Sequence, residues 1–211
     1  MCNILRVRWT IDPRVAPQPW IACSGCGGSR PFQSSSRIRL NANGKRLDAW
    51  LIYRCLSCEK TWNRPLFERR HVHDIDPTML DALHSNDPDW VRTQEFEIDA
   101  LRRRTQQVTE FADVDISKEV LNEPDTSATV LEIELLIPLS TSLRLDHLLT
   151  SELRLTRSRL NAPHKEGGIR IDPDRKDILR RRIRDGMRIS LDCAMEFDPR
   201  ALSGVAGVSR G

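Results

Sequence analysis

Apolar and polar residues alternate most regularly in four places along the chain. SSSRIRL and RLDAWLIYRC are strand-like runs around NANGKR, where Asn43-Gly44 is a strong tight-turn signal, so residues 34–55 predict a hairpin. ATVLEIELLIPL reads as a strand with an apolar end. In GGIRI and GMRISL the alternation turns Ile169, Ile171, Ile189 and Leu191 inward and leaves Arg170 and Arg188 outward.

Elsewhere the period is helical. Asp87 followed by Pro88 starts a helix through DWVRTQEFEIDALRRR that ends near Arg102 to Arg104, with Trp90, Val91, Ile98 and Leu101 on one face. PTMLDALHS predicts a shorter helix before it, and residues 105–128, rich in Thr, Asp and Ser, read as a loosely structured connector. With Ser142 as N-cap, Leu145, Leu148, Leu149 and Leu153 share one side of a third helix, and Arg144, His147, Ser151 and Arg154 occupy the other. Thr156 then caps a further helix, with Leu155 and Leu160 spaced as a hydrophobic staple. Arg157, Ser158 and Arg159 sit on its first turn, where free N–H groups and the dipole favour phosphate. Pro163 ends that helix at about Asn161 or Ala162, because proline removes a hydrogen bond and clashes one turn back.

Composition narrows the class. With 39 % hydrophobic residues in 211, the chain can bury a core divided among small units. No apolar run approaches the roughly 20 residues that cross a bilayer, and MCNILRVRWT has no signal-peptide core, so a soluble cytoplasmic protein is expected. The net charge of +3 conceals an uneven distribution: +9 over residues 1–70, −11 over 71–143, +6 over 144–188 and −1 beyond. Two basic ends around an acidic middle suggest a polyanion for the ends and a protein partner for the middle. Of the 33 basic residues 28 are arginine, a bias that a genome can impose as well as a ligand.

The cysteines add chemistry. Cys23-x2-Cys26 and Cys55-x2-Cys58 are two knuckles separated by 28 residues, and the intervening hairpin returns the second to the first. Four thiolates with no vacant position predict one structural zinc ion in a ribbon. Two disulfides or redox-active pairs compete with this reading, but a thioredoxin-type site needs a β-α-β setting. Cys2 and Cys193 lie outside the pattern. Trp20, Trp50, Tyr53 and Trp62 are interleaved with cations; Trp50 and Trp62 are expected to pack, and Arg37, Arg39, Lys45 and Arg46 near the hairpin tip form the expected contact surface. His71, His73 and His84 read as exposed linker histidines rather than a second metal site.

The ordered set RLDHLL, LTRSRL, GGIRI and IRDGMRISL resembles the S-four-type RNA-binding module, named after a protein of the small ribosomal subunit. The matching positions are Arg144-Leu145-Asp146, Thr156-Arg157, Gly167 and Gly186-Met187, with Thr156 replacing the usual serine and Met187 the turn aspartate. The resemblance implies two helices on a small antiparallel sheet that grips structured RNA, ribosomal or transfer RNA, by its backbone. Arg144, Arg154, Arg157, Arg159 and Arg170 would carry the contacts, joined by Arg180, Arg181, Arg182 and Arg184 of LRRRIR. The whole chain also resembles a bacterial family of unassigned function, domain of unknown function 1062, through its knuckles, RLNANGKRLDAWLIYRC, TWNRPLFER, RLDHLL and LTRSRL.

The expected fold is therefore α+β in serial pieces: a zinc ribbon at 1–70, an acidic helical region and connector at 71–128, an S-four-like α/β module with its preceding strand at 129–197, and a flexible tail at 198–211. The expected function is RNA binding. The alternative is a DNA-binding or protein-interaction module whose ribbon docks a transcription or translation partner. No Ser/His/Asp, Cys/His or glycine-rich phosphate signature can be placed, so an enzyme is not expected.

Overall fold

The computed structural model describes residues 4–122, 128–160 and 167–192. Its ten strands run β1 Ile4–Pro13, β2 Gln18–Cys23, β3 Gly28–Asn43, β4 Arg46–Cys55, β5 Thr61–His71, β6 Val108–Thr109, β7 Val114–Val120, β8 Val130–Leu136, β9 Ile169–Asp172 and β10 Arg188–Asp192. The helices are α1 Pro77–Ser85, α2 Pro88–Glu95, α3 Ile98–Arg102 and α4 Leu145–Glu152. Among the described residues no helix is long and apolar enough to cross a membrane.

The chain is mostly β, with two sheets of five strands, ordered β7-β1-β8-β10-β9 and β5-β4-β3-β2-β6. This overturns the serial α+β reading. Two compact units form, one from Met1–Arg14 with Ala112–Gly211, the other from Val15–Phe111. The second is an insertion, since β1 pairs antiparallel with β7 across it, Pro13 opposite Val114, and Arg14 N–H donates to the Asp113 carbonyl at 3.0 Å.

In the split unit, β8 pairs parallel with β1 and antiparallel with β10. The C-terminal strands are therefore three-fifths of a sheet whose remainder comes from the chain's first strand and the supposed connector. An independent S-four-like α/β module is not what forms. The physical reason lies in the core, where Trp9, Ile11 and Val7 of β1 are buried with Leu131, Ile133 and Leu135 of β8 and with Leu145, Leu148 and Leu149 of α4. A four-residue β9 and a five-residue β10 could not cover those leucines alone. The alternation expected in β9 and β10 does form, with Ile169, Ile171, Ile189 and Leu191 buried. The sheet's outward row is charged, with Arg8 bonded to Glu134 at 3.0 Å and Arg6 near Glu132 at 3.4 Å.

Residues 105–128 contribute β6 and β7 rather than a plain connector. Edge strand β7 offers Val114 and Ile116 to the core, and Lys118 lies over the Trp9 ring at 4.8 Å while its ammonium meets Glu152 at 2.7 Å. Helix α4 begins with Arg144 as N-cap, not Ser142, and Thr156 caps the turn that starts at 157, its Oγ1 accepting from Arg159 N–H at 3.3 Å. Leu155 and Leu160 are both buried, as a staple requires. The end of that helix at Pro163, like Cys2, Cys193 and the tail, lies outside the described residues.

In the inserted unit, the β3–β4 hairpin turns on Gly44-Lys45, one residue later than Asn43-Gly44, with Gly44 at φ +60° in the first loop position. The central helices are not a separate helical region, for α2 packs across β3 and buries Val91 with Phe32, Leu51 and Tyr53. Asp87 caps α2 as expected, and Asp76, not singled out in the sequence, caps α1. The single long helix from Asp87 is broken at Phe96-Glu97. Buried Arg64 donates from Nη2 to the Gln94 carbonyl at 2.7 Å, taking the acceptor that Ile98 N–H would use, and Ile98 turns to the Phe96 carbonyl instead. Opposite this, Asn86 bridges a bulge in β3 by accepting from Ile38 N–H at 2.7 Å and donating to the Ser36 carbonyl at 2.9 Å.

Candidate functional site

The four knuckle cysteines converge. Their Sγ atoms all lie within 4.8 Å of one another, with Cys23 and Cys58 at 3.3 Å and Cys26 and Cys55 at 3.9 Å, and none is in a disulfide. A tetrahedral ion with bonds of about 2.3 Å to sulfur needs sulfurs about 3.8 Å apart. The donor set fits.

The two knuckles share a backbone form. Gly27 N–H donates to the Cys23 carbonyl and Glu59 N–H to the Cys55 carbonyl, each at 3.0 Å, and both donors are left-handed, Gly27 at φ +67° and Glu59 at φ +60°. The hairpin sheet sets their separation, since Cys23 pairs with Gly28 and Cys55 with Phe32 along β3. Gly25 is needed for a different reason. A Cβ there would stand 2.9 Å from the Cys58 sulfur, so only glycine lets the first knuckle close on the second.

The electrostatics favour a cation. Burial pushes the Cys55 thiol up, but backbone N–H groups of Ser57 and Cys58 more than offset it and hold the group at about 6. The hydrogen bond with Cys58, followed by burial, pushes Cys26 up to about 12. Cys55 thus accepts negative charge that Cys26 resists, and a dication among the four sulfurs would remove the conflict. Among the described residues this is the sole grouping of three or more His, Cys, Asp or Glu able to hold a metal. His71 ends β5 and stacks on His73 at 4.1 Å, which places it in the sheet rather than in a linker.

The expected cationic residues separate into groups. In the split unit, Arg144, Arg157 and Arg180 line a cavity of about 310 Å³ with Asp146, Leu160 and Leu179. A second cavity of about 320 Å³ is lined by Arg180, Arg181, Arg182 and Arg184, together with Arg175 over Ile178 and Met187. Arg180 belongs to both, so the two cavities adjoin. Asp146 pairs with one of these cations: its carboxylate accepts from Arg144 Nε at 3.1 Å and Nη2 at 2.7 Å, while the Arg144 side chain stays 42 % exposed. Arg157 Nη2 approaches His147 Nε2 at 3.2 Å.

The remaining positions do not join them. Arg170 stands on the outward row of the sheet, and Arg154 and Arg159 are exposed but line neither cavity. Arg37, Arg39, Lys45 and Arg46 are exposed on the hairpin of the inserted unit, with Arg46 donating to the Arg69 carbonyl at 3.2 Å. Tyr53 is fully buried and Trp62 packs against it at 5.4 Å, the packing role expected of Trp62; Trp50 is half-buried. Sequence reasoning missed Arg175, whose neighbours in the chain are aspartate and lysine, and the pairing of Asp146 with Arg144, for which the Arg-Leu-Asp spacing was the available signal.

A model of the family described as protein of unknown function (DUF1062) matches residues 40–175. No curated protein and no solved structure matches the chain.

Proposed function

Because the chain belongs to the DUF1062 family of proteins of unknown function, we propose a role from its own chemistry: it is a cytoplasmic RNA-binding protein that grips folded RNA by the backbone and is stabilised by one structural zinc ion. Zinc is favoured by four sulfur ligands at near-tetrahedral spacing with no open position, a set that suits a closed structural site.

The observation that carries RNA binding is the set of arginines, Arg144, Arg157, Arg175, Arg180, Arg181, Arg182 and Arg184, that line two recessed cavities sharing Arg180. Guanidinium groups match phosphate in a bidentate geometry, and recesses of this size suit the irregular backbone of a folded strand better than the uniform ridge of a duplex. Ribosomal or transfer RNA is the target this reading favours.

Hairpin, duplex and single-stranded RNA and duplex DNA, titrated at matched ionic strength, test the reading. Folded RNA should bind most tightly, and Arg157→Glu with Arg180→Glu should weaken it and lower the slope of log K against log salt by about 1 to 2. Equal affinity for duplex DNA, or an unchanged slope in the double variant, defeats the proposal.

A further inference from the structure

A third cavity, about 370 Å³, lies within the inserted unit and is lined by Trp20, Trp62, Ser29, Arg104, Gln106 and Gln107 among others. Its size falls at the small end of the roughly 300–1,000 Å³ of ligand sites, enough for one nucleoside-sized group. Both indoles are held from behind. Trp20 donates from Nε1 to Thr109 Oγ1 at 2.8 Å and its backbone N–H to the Gln107 carbonyl at 2.9 Å, whereas Trp62 rests on Tyr53. The polar need of Trp20 and the packing of Trp62 are therefore met on the protein side.

What remains for a ligand is chemically specific. The Arg104 guanidinium and the side-chain amides of Gln106 and Gln107 make no hydrogen bond or ion pair among the described residues. Among the described residues Arg104 is the sole charged one lining the cavity. An aromatic cage for a methylated ammonium would carry acidic groups, and a cation is disfavoured beside Arg104. A flat, hydrogen-bonding ring joined to an anion satisfies all parts: the ring against indole, its edge to glutamine, the anion to the guanidinium.

We propose that this cavity is a nucleobase pocket taking one unpaired ribonucleotide. The identity of the strand rests on the RNA-binding reading; the pocket does not. Position adds a dependence on metal, because Ala22 and Ser29 pair on β2 and β3 immediately beside Cys23 and Gly28 of the first knuckle. Loss of the ion should loosen this wall.

The full chain labelled with 5-fluorotryptophan and titrated with AMP, UMP and short oligo(A) or oligo(U) RNA tests this. Saturable shifts are expected at the Trp20 and Trp62 resonances and none at Trp9, with oligonucleotide affinity falling about ten-fold or more in Trp62→Leu. Exposed Arg104→Glu, which disturbs no packing, should lose affinity similarly. Unshifted Trp20 and Trp62 resonances, or wild-type affinity in Arg104→Glu, overturn the pocket. If Arg157→Glu with Arg180→Glu leaves hairpin affinity intact while Arg104→Glu abolishes the tryptophan shifts, the pocket stands and the backbone-gripping surface falls. The reverse pattern removes the pocket alone.

Discussion

Gly25 shows how a single hydrogen atom decides whether two knuckles can share an ion. Adding a methyl group brings it to 2.9 Å from Cys58 Sγ, whereas the nearest atom to a Cβ at Gly28 is 3.9 Å away. Gly25→Ala should therefore weaken metal retention against a chelator and lower the melting temperature of the metal-loaded chain, while Gly28→Ala changes little. Equal behaviour of the two would refute the close-approach argument. At Asp76 the relevant quantity is a proton. Its carboxylate accepts from the Thr78 hydroxyl and from the backbone N–H groups of Met79 and Thr78, which hold it below the ordinary carboxylate range. A depressed folded value means its stabilisation is complete above about pH 4 and disappears as pH falls through that lower value. Asp76→Ala should thus melt earlier than wild type at pH 7, with the gap closing in acid; a gap constant with pH would contradict the capping geometry.

At the scale of elements, the metal should hold the inserted sheet together. The unit's buried cluster includes Cys23 and Cys55 themselves beside Phe32, Leu51, Tyr53, Val91 and Leu101, so an ion on these sulfurs would close part of the core. Structural zinc sites supply about 10–16 kcal/mol of apparent folding energy. Chelation is therefore expected to abolish amide-exchange protection in β3 and β4 while leaving β8 and β10 protected, and mass analysis should find one zinc per chain. Protection surviving in β3 after the metal is gone would show that the sheet does not need it. These elements were legible because their signals are local: a Cys-x2-Cys pair, a turn glycine, an aspartate before proline. Strand β7 was not, because the alternation begun by Val114 and Ile116 breaks at Lys118, where a lysine lying over Trp9 stands in the place of an apolar residue. The break after α2 was invisible for another reason, since it depends on Arg64 arriving from β5 to take one carbonyl.

The whole molecule is organised by an insertion that no local pattern announces. Arg14 and Asp113 meet at the base of residues 15–111, and Arg14 Nε also donates to Asp115 at 2.9 Å, so the split unit has a closed hairpin base of its own. Replacing residues 15–112 with Asn-Gly should leave a folded domain, because a two-residue loop suits that pairing. Four of the five tryptophans leave with the insertion, and the remaining Trp9 is fully buried. Its fluorescence should be blue-shifted and lost in one cooperative melt; a solvent-exposed spectrum would show that the units cannot be separated. Sequence reading missed this arrangement because Arg8 and its partner Glu134 are 126 positions apart. That same separation sets a schedule during synthesis. At about 5–20 residues per second the nascent β1 waits roughly 6–25 seconds for β8, with one edge and its apolar face uncovered until then. Arg6 and Arg8, which flank Val7, place positive charge on that strand and so guard the unfinished chain against sticking to its neighbours.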